Sequence, residues 1–167
     1  TCVVSDKFID KVIKLGVMES ACELTNVKEN KNAKKTDGNK SKSIRGIPKL
    51  EDANWAGTAK SAECCLILTE GDSAKTMAMT GIGIIGRDRY GVFPLKGKLM
   101  NVRDIKNIKK LQENDEINNI KKIIGLQAGK EYSSISELRY GSVMVLTDQD
   151  EDGSHIKGLL FNVFQTL

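Results

Sequence analysis

Short apolar runs and helical periodicities alternate along most of this chain. Glu63-Cys-Cys-Leu-Ile-Leu-Thr69 and Ser142-Val-Met-Val-Leu-Thr147 are short apolar runs of strand length bounded by polar residues, the pattern of buried strands. Tyr90 to Leu95 predicts a further strand or extended segment. Between them the period changes. From Ser73 the run Ala74-Lys-Thr-Met-Ala-Met79 predicts a helix capped by Asp72 or Ser73. Ile108, Leu111, Ile117, Ile120 and Ile124 predict one or two amphipathic helical turns around an acidic stretch. Ile156, Leu159, Leu160, Val163, Phe164 and Leu167 recur at i, i+3, i+4, i+7, i+8 and i+11, one face of a helix. Strands alternating with helices predict an α/β fold with a mainly parallel sheet.

The amino-terminal quarter reads differently. Phe8, Ile9, Val12 and Ile13 predict a helix from Ser5, a suitable cap, to Leu24, with Gly16 weakening its second half. From Asn26 to Lys42, ten of seventeen residues are Asn or Lys. So little apolar surface cannot offset ordering entropy, which predicts a solvated linker, with a nuclear-localisation or DNA-contacting role as a secondary reading. The expected organisation is a helical segment (1–25), a Lys/Asn-rich linker (26–43), a lead-in (44–62) and a main domain (63–167). The chain opens at Thr1 and stops inside an apolar pattern, which suggests an internal piece of a larger protein, truncated near its last strand.

Composition narrows the class. With 167 residues, 40% hydrophobic and 29% charged, the chain has material for one core and is not wholly disordered. The run from Cys64 to Leu68 is too short to span a bilayer, so no membrane partner is expected. Cys2, Cys22, Cys64 and Cys65 have no C-x-x-C spacing, which argues for reduced thiols and against a disulfide framework or a zinc site. The net charge of +4 is concentrated in residues 1–50, so an acidic partner would be met elsewhere by local patches.

The acids at the strand ends carry the chemistry. Glu70 follows one buried strand, and Asp148, Asp150 and Asp152 follow another. Ligands of parallel sheets gather at the carboxyl ends of strands, so both groups could face one crevice. Alternate residues of an extended segment would project to one side, about 6–7 Å apart. Such like charges repel unless a cation neutralises them, and an oxygen-only donor set suits Mg²⁺. The competing reading is a set of solvated turn residues. Three lookalikes fail on spacing or context. Asp148 to Leu159 opens like an EF-hand but ends in Leu where Glu belongs. Gly81-Ile-Gly83-Ile-Ile-Gly86 lacks the strand–turn–helix setting of a dinucleotide site, and Gly91 to Lys98 has one residue too many for a phosphate loop. Basic residues Arg87, Arg89, Lys96, Lys98 and Arg103, interleaved with Gly86, Gly91 and Gly97, would allow close backbone approach to phosphate.

Several motifs together resemble the Toprim region of type II DNA topoisomerases. They are Arg45-Gly-Ile-Pro-Lys-Leu-Glu-Asp-Ala-Asn54, Glu70-Gly-Asp-Ser-Ala-Lys75, Gly86-Arg-Asp-Arg-Tyr-Gly-Val-Phe-Pro-Leu-Lys-Gly-Lys98, Glu116-Ile-Asn-Asn-Ile120 and Thr147-Asp-Gln-Asp-Glu-Asp-Gly-Ser-His-Ile-Lys-Gly158. The likeness runs from Ile44 to Leu167, and Ala74-Lys-Thr76 and Asp148-Gln-Asp150 look like the eukaryotic enzymes. It implies a Rossmann-like Toprim fold with a sheet flanked by helices. It also implies an isomerase that cleaves both strands of double-stranded DNA, passes a second duplex and religates. Glu70 would be the catalytic acid/base and a metal ligand, and Asp148, Asp150 and Asp152 would complete the Mg²⁺ sites, with Mn²⁺ or Ca²⁺ as substitutes. Lys96, Lys98, Asn101, Arg87, His155 and Lys157 would contact DNA; Lys96 stands where the family usually has Arg. Trp55 stands where relatives often have a smaller polar residue. ATP would be used by a domain outside this chain, and the attacking tyrosine lies in another region, so Tyr140 reads as structural and the fragment alone should be inactive. A nuclear homodimer is implied. The alternatives are another Toprim enzyme, such as a primase or nuclease, or a non-catalytic calcium-binding module.

Overall fold

The computed structural model describes residues 5–103, 113–127 and 129–166. The chain divides into two compact units, Thr1–Lys35 and Thr36–Leu167.

In the first unit, helix α1 (Asp6–Lys14) has Ser5 at its N-cap position with no side-chain cap bond. It stops at Leu15, and Gly16, with φ of 65°, turns the chain into α2 (Val17–Lys35). The expected single helix is therefore two, broken at a left-handed position that glycine adopts without steric cost. The expected linker also differs, because α2 continues to Lys35. Lys, Glu and Ala are good helix formers, and backbone hydrogen bonds form without an apolar face to bury. Cys22 is exposed and Cys2 lies outside the described residues.

The second unit is built on three parallel strands: β1 (Cys65–Glu70), β2 (Tyr90–Leu95) and β3 (Ser142–Leu146). Their order is β2-β1-β3, with Cys65 level with Tyr90 on one side and with Ser142 on the other. Helix α3 (Gly71–Ile85) joins β1 to β2, α4 (Asp115–Ile124) lies between β2 and β3, and α5 (Glu151–Thr166) follows β3. Short 3₁₀ turns at Ser61–Glu63 and Ile135–Glu137 precede β1 and β3. All three strands fall where the apolar runs predicted them, but β3 is not the buried strand its run predicted: it lies at the edge of the sheet, and Val143 and Met144 are 36% and 49% exposed.

The alternation of β1 divides the core. Leu66 and Leu68 join Phe93 and Leu95 of β2, Ile117 and Ile120 of α4, and Ile156, Leu159, Leu160 and Val163 of α5 in the main cluster. Ile67 and Val92 meet Ile82 of α3 in a smaller one. Successive strand residues point to opposite faces, so helices cover both. Phe164 is half-buried against the main cluster, whereas Leu167, Ile108 and Leu111 lie outside the described residues. The Gly81–Gly86 string sits in and just after α3, in agreement with its rejection as a dinucleotide loop. Among the described residues no helix is long and apolar enough to cross a membrane.

The expected lead-in (44–62), together with residues 36–43 of the expected linker and the two residues before β1, belongs to this second unit and contributes to its core. Ala53, Ala56 and Cys64 are buried in the main cluster, and Glu51 forms an antiparallel bridge with Val92 of β2. Burial pushes the Cys64 thiol pKa up, which suits an inert structural cysteine. A polar network ties the lead-in down. The fully buried Arg139 guanidinium donates to Asp52 Oδ2 at 2.5 Å and to the carbonyls of Ser41 and Ile123 at 2.7 and 2.8 Å. Tyr140 donates to Asp52 Oδ1 at 2.5 Å and accepts from the Ala53 N–H. Lys121, also buried, pairs with Asp37 at 3.1 Å.

Candidate metal and nucleic-acid site

Three parallel strands end at one edge, and the pairing register decides which residues meet there. Glu70, the last residue of β1, is level with Leu95 of β2, so the following Lys96-Gly97-Lys98 flanks it on one side. Thr69 is level with Leu146 of β3, which brings Thr147 and Asp148 to its other side. The Asp148 N–H points at Glu70 Oε2 across 3.4 Å. A cleft of about 330 Å³ opens beside Glu70, bounded by Lys49, Asp72, Lys96 and Gly97.

Local bonds hold each wall. Glu70 is the N-cap residue of α3 and makes no side-chain cap bond. The expected cap at Asp72 or Ser73 is not formed, because the helix already starts at Gly71; Asp72 lies in its first turn, where an acid suits the helix dipole, and pairs with Lys49 at 2.5 Å. Lys49 itself has a left-handed φ of 67°, and its carbonyl accepts from Lys75 Nζ at 2.8 Å. On the β2 side, the Lys96 N–H donates to Glu116 Oε1 of α4 at 2.6 Å, and Gly97 turns the chain with φ of 132°. Asn101 Oδ1 accepts from the Arg103 N–H.

The three aspartates do not share one extended face. β3 ends at Leu146 and α5 begins at Glu151, so Asp150 stands at the cap of that helix and Asp152 in its first turn, not along one extended strand. Asp150 Oδ1 accepts from the Gly153 N–H at 2.7 Å, a helix-capping bond. Asp152, in the first turn of α5, pairs with Lys98 at 2.8 Å. This hydrogen bond raises the Lys98 pKa and lowers that of Asp152, and the charges of Asp150 and Glu70 add to the effect on Lys98. The Lys98 ammonium thus lies in the field of Asp152, Asp150 and Glu70. His155 and Lys157 follow on the same helix, and His155 is exposed.

Among the described residues no group of three or more His, Cys, Asp or Glu side chains is arranged as a metal-ligand set. The donors still fit a hard divalent cation that keeps most of its waters and needs one or two carboxylates. They are all oxygens, and a lysine ammonium already pairs with one of them, Asp152, as a stand-in cation.

Arg87 stands apart. It precedes β2 at the amino-terminal edge of the sheet and pairs with Glu51 at 2.7 Å. Arg89 lies at that edge too, where its carbonyl accepts from the Cys65 N–H and its side chain pairs with Glu63. Trp55, unexplained by its sequence context, packs there between Lys60 and Arg89, whose charged groups lie 4.2 and 5.4 Å from its ring centre. Tyr140 is buried and structural, as expected. The polar network it forms with Asp52 and Arg139 was not visible in the sequence, since Asp52 lies 87 and 88 residues from Arg139 and Tyr140 and shares no periodic pattern with them.

Parallel strands ending in a lone glutamate, with an Asp-x-Asp segment after the neighbouring strand, agree with the family comparison: the Toprim domain matches residues 65–167, and the chain belongs to that family. Within it, the chain is similar to eukaryotic topoisomerases over nearly its whole length. It is 57% identical over 99% of its residues to DNA topoisomerase 2 of Drosophila melanogaster, and 55% identical over 97% to DNA topoisomerase 2-alpha of Rattus norvegicus. It spans only 12% and 11% of those proteins. Among solved structures, it resembles the DNA-binding, cleavage and re-ligation domain of Plasmodium falciparum topoisomerase II. The TM-score is 0.72 at 60% identity, covering 75% of this chain and 17% of that one.

Proposed function

We propose that this chain is the metal-binding, DNA-contacting part of a eukaryotic-type DNA topoisomerase II. The parent enzyme would cleave both strands of one duplex, pass a second duplex through and reseal the break as a nuclear, ATP-dependent homodimer. The observation that carries this reading is the register that sets Glu70 between Lys96–Lys98 and Asp148 at the carboxyl edge of the sheet.

Glu70 serves as the general acid and base. It protonates the leaving 3′ oxygen when a tyrosine outside this chain attacks the phosphorus, and removes that proton on resealing. Glu70, Asp148 and Asp150, with Asp152 as a further ligand, would hold Mg²⁺, for which Mn²⁺ or Ca²⁺ can substitute. When bound, the ion neutralises charge on the carboxylates and on phosphate oxygens. Lys96, Lys98, Asn101, His155 and Lys157 form the DNA-facing surface around that edge. Arg87, paired with Glu51 at the opposite edge, is left out of it.

The test is metal-supported DNA cleavage by a full-length enzyme carrying this segment. Glu70→Gln or Asp150→Asn should lower cleavage by about two orders of magnitude or more. Asparagine caps helices as well as aspartate does, so Asp150→Asn keeps an acceptor for the Gly153 N–H while removing the charge. Wild-type cleavage by either variant would overturn the assignment.

A further inference from the structure

The Lys98 and Asp152 side chains are both more than half exposed, at 51% and 61%, yet they meet at 2.8 Å. Exposed ion pairs gain little by themselves, so the reason for this one lies in what surrounds it. Glu70, Asp150 and Asp152 come from two different strand ends, and their like charges raise the free energy of the edge unless a cation lies among them. The loop after β2 is built to deliver one: Glu116 fixes the Lys96 backbone, Gly97 makes the turn, and Lys98 reaches the first turn of α5. A lysine ammonium is a compact charge on a flexible stem, suited to changing partners.

We propose that Lys98 is the resident counter-ion of the acidic edge, exchanged between Asp152 and a DNA phosphate according to whether a divalent cation neutralises the carboxylates. The proposal rests on the metal reading above. Without the cation, Lys98 stays on Asp152 and is withheld from DNA. With it, Lys98 is released toward phosphate. Linkage makes the effect reciprocal, so DNA that captures Lys98 should tighten cation binding.

The experiment uses the full chain, with Mn²⁺ binding followed by titration calorimetry and binding of a short fluorescent duplex followed by anisotropy in EDTA. Lys98→Met removes a positive charge beside the carboxylates and should tighten Mn²⁺ binding about three- to tenfold. Asp152→Asn should raise DNA affinity in EDTA about threefold by freeing Lys98. That gain should vanish when Lys98→Met is also present, which separates release of Lys98 from a general loss of negative charge. Unchanged Mn²⁺ affinity in Lys98→Met, or a gain from Asp152→Asn that survives in the double variant, would overturn the exchange. Glu70→Gln distinguishes the two levels. If it leaves Mn²⁺ binding unaltered, the metal reading and the exchange fall together. If it weakens Mn²⁺ binding while Lys98→Met has no effect, the exchange alone is overturned.

Discussion

Gly153 lies so close to the carbonyl oxygen of Asp148 that a Cβ added to it would come within 2.1 Å of that oxygen. The first turn of α5 can fold back on the end of the β3 segment only because this residue has no side chain. The same close approach lets the Gly153 N–H reach Asp150 Oδ1.

A pair of substitutions in this helix should therefore act in opposite directions. Gly153→Ala should destabilise the chain by about 1–3 kcal/mol, since backbone must move to accept the methyl group. Gly158→Ala, five residues on and with open space around it, should stabilise by about 0.5–1 kcal/mol through reduced unfolded-state freedom. Urea unfolding of both variants decides the matter.

Arg139 has no exposed surface and makes three bonds that close the lead-in onto the core. Arg139→Met should cost on the order of 3 kcal/mol, because it leaves the Asp52 charge without its counter-ion and strands two carbonyl groups. Adding Asp52→Leu should recover part of that loss, and a non-additive cycle in urea unfolding would show it.

Tyr140 should set the alkaline limit of stability. Burial, and then the Asp52 carboxylate, push its phenol well above the usual value. The folded state thus holds the proton after the unfolded chain has released it at about pH 10, so the stabilisation is complete below that pH and declines as pH rises further. Unfolding free energy measured from pH 8 upward should fall beyond pH 10 in the wild type. Tyr140→Phe should flatten that fall, while losing about 1 kcal/mol at neutral pH from its missing hydrogen bonds.

DNA binding should separate the two edges of the sheet. With a divalent cation present, Lys98→Ala should weaken duplex binding by the full-length enzyme and reduce the slope of log affinity against log salt by about one. Arg87→Ala, at the other edge, should leave that slope unchanged. Equal effects of the two would move the DNA surface away from Glu70.

The strands and core helices were legible because each depends on a local pattern: Cys64 to Leu68 is apolar throughout, and Ile156, Leu159, Leu160 and Val163 repeat at helical spacing. The candidate site was legible in its membership, since Glu70 and Asp148 each follow a short apolar run that forms a strand, although only that of β1 is buried. Its geometry was less so. Alternation from Asp148 to Asp152 presupposed an extended chain, whereas the helix start at Glu151 gives Asp150 a backbone partner and sends Asp152 to Lys98. The helical continuation to Lys35 rests on local propensity, which leaves no apolar periodicity to read. Pairs such as Arg139 with Asp52 and Trp55 with Arg89 depend on the finished fold and leave no periodic trace.

The stitched lead-in bears on how the molecule can be cut. The family match begins at residue 65, but Arg139 and Lys121 find their counter-charges at Asp52 and Asp37. A piece started at the family boundary would keep two cations in its interior and discard both anions. One started at Thr36 would keep each pair whole, so the smallest separable unit is longer at its front than the stretch the family match covers.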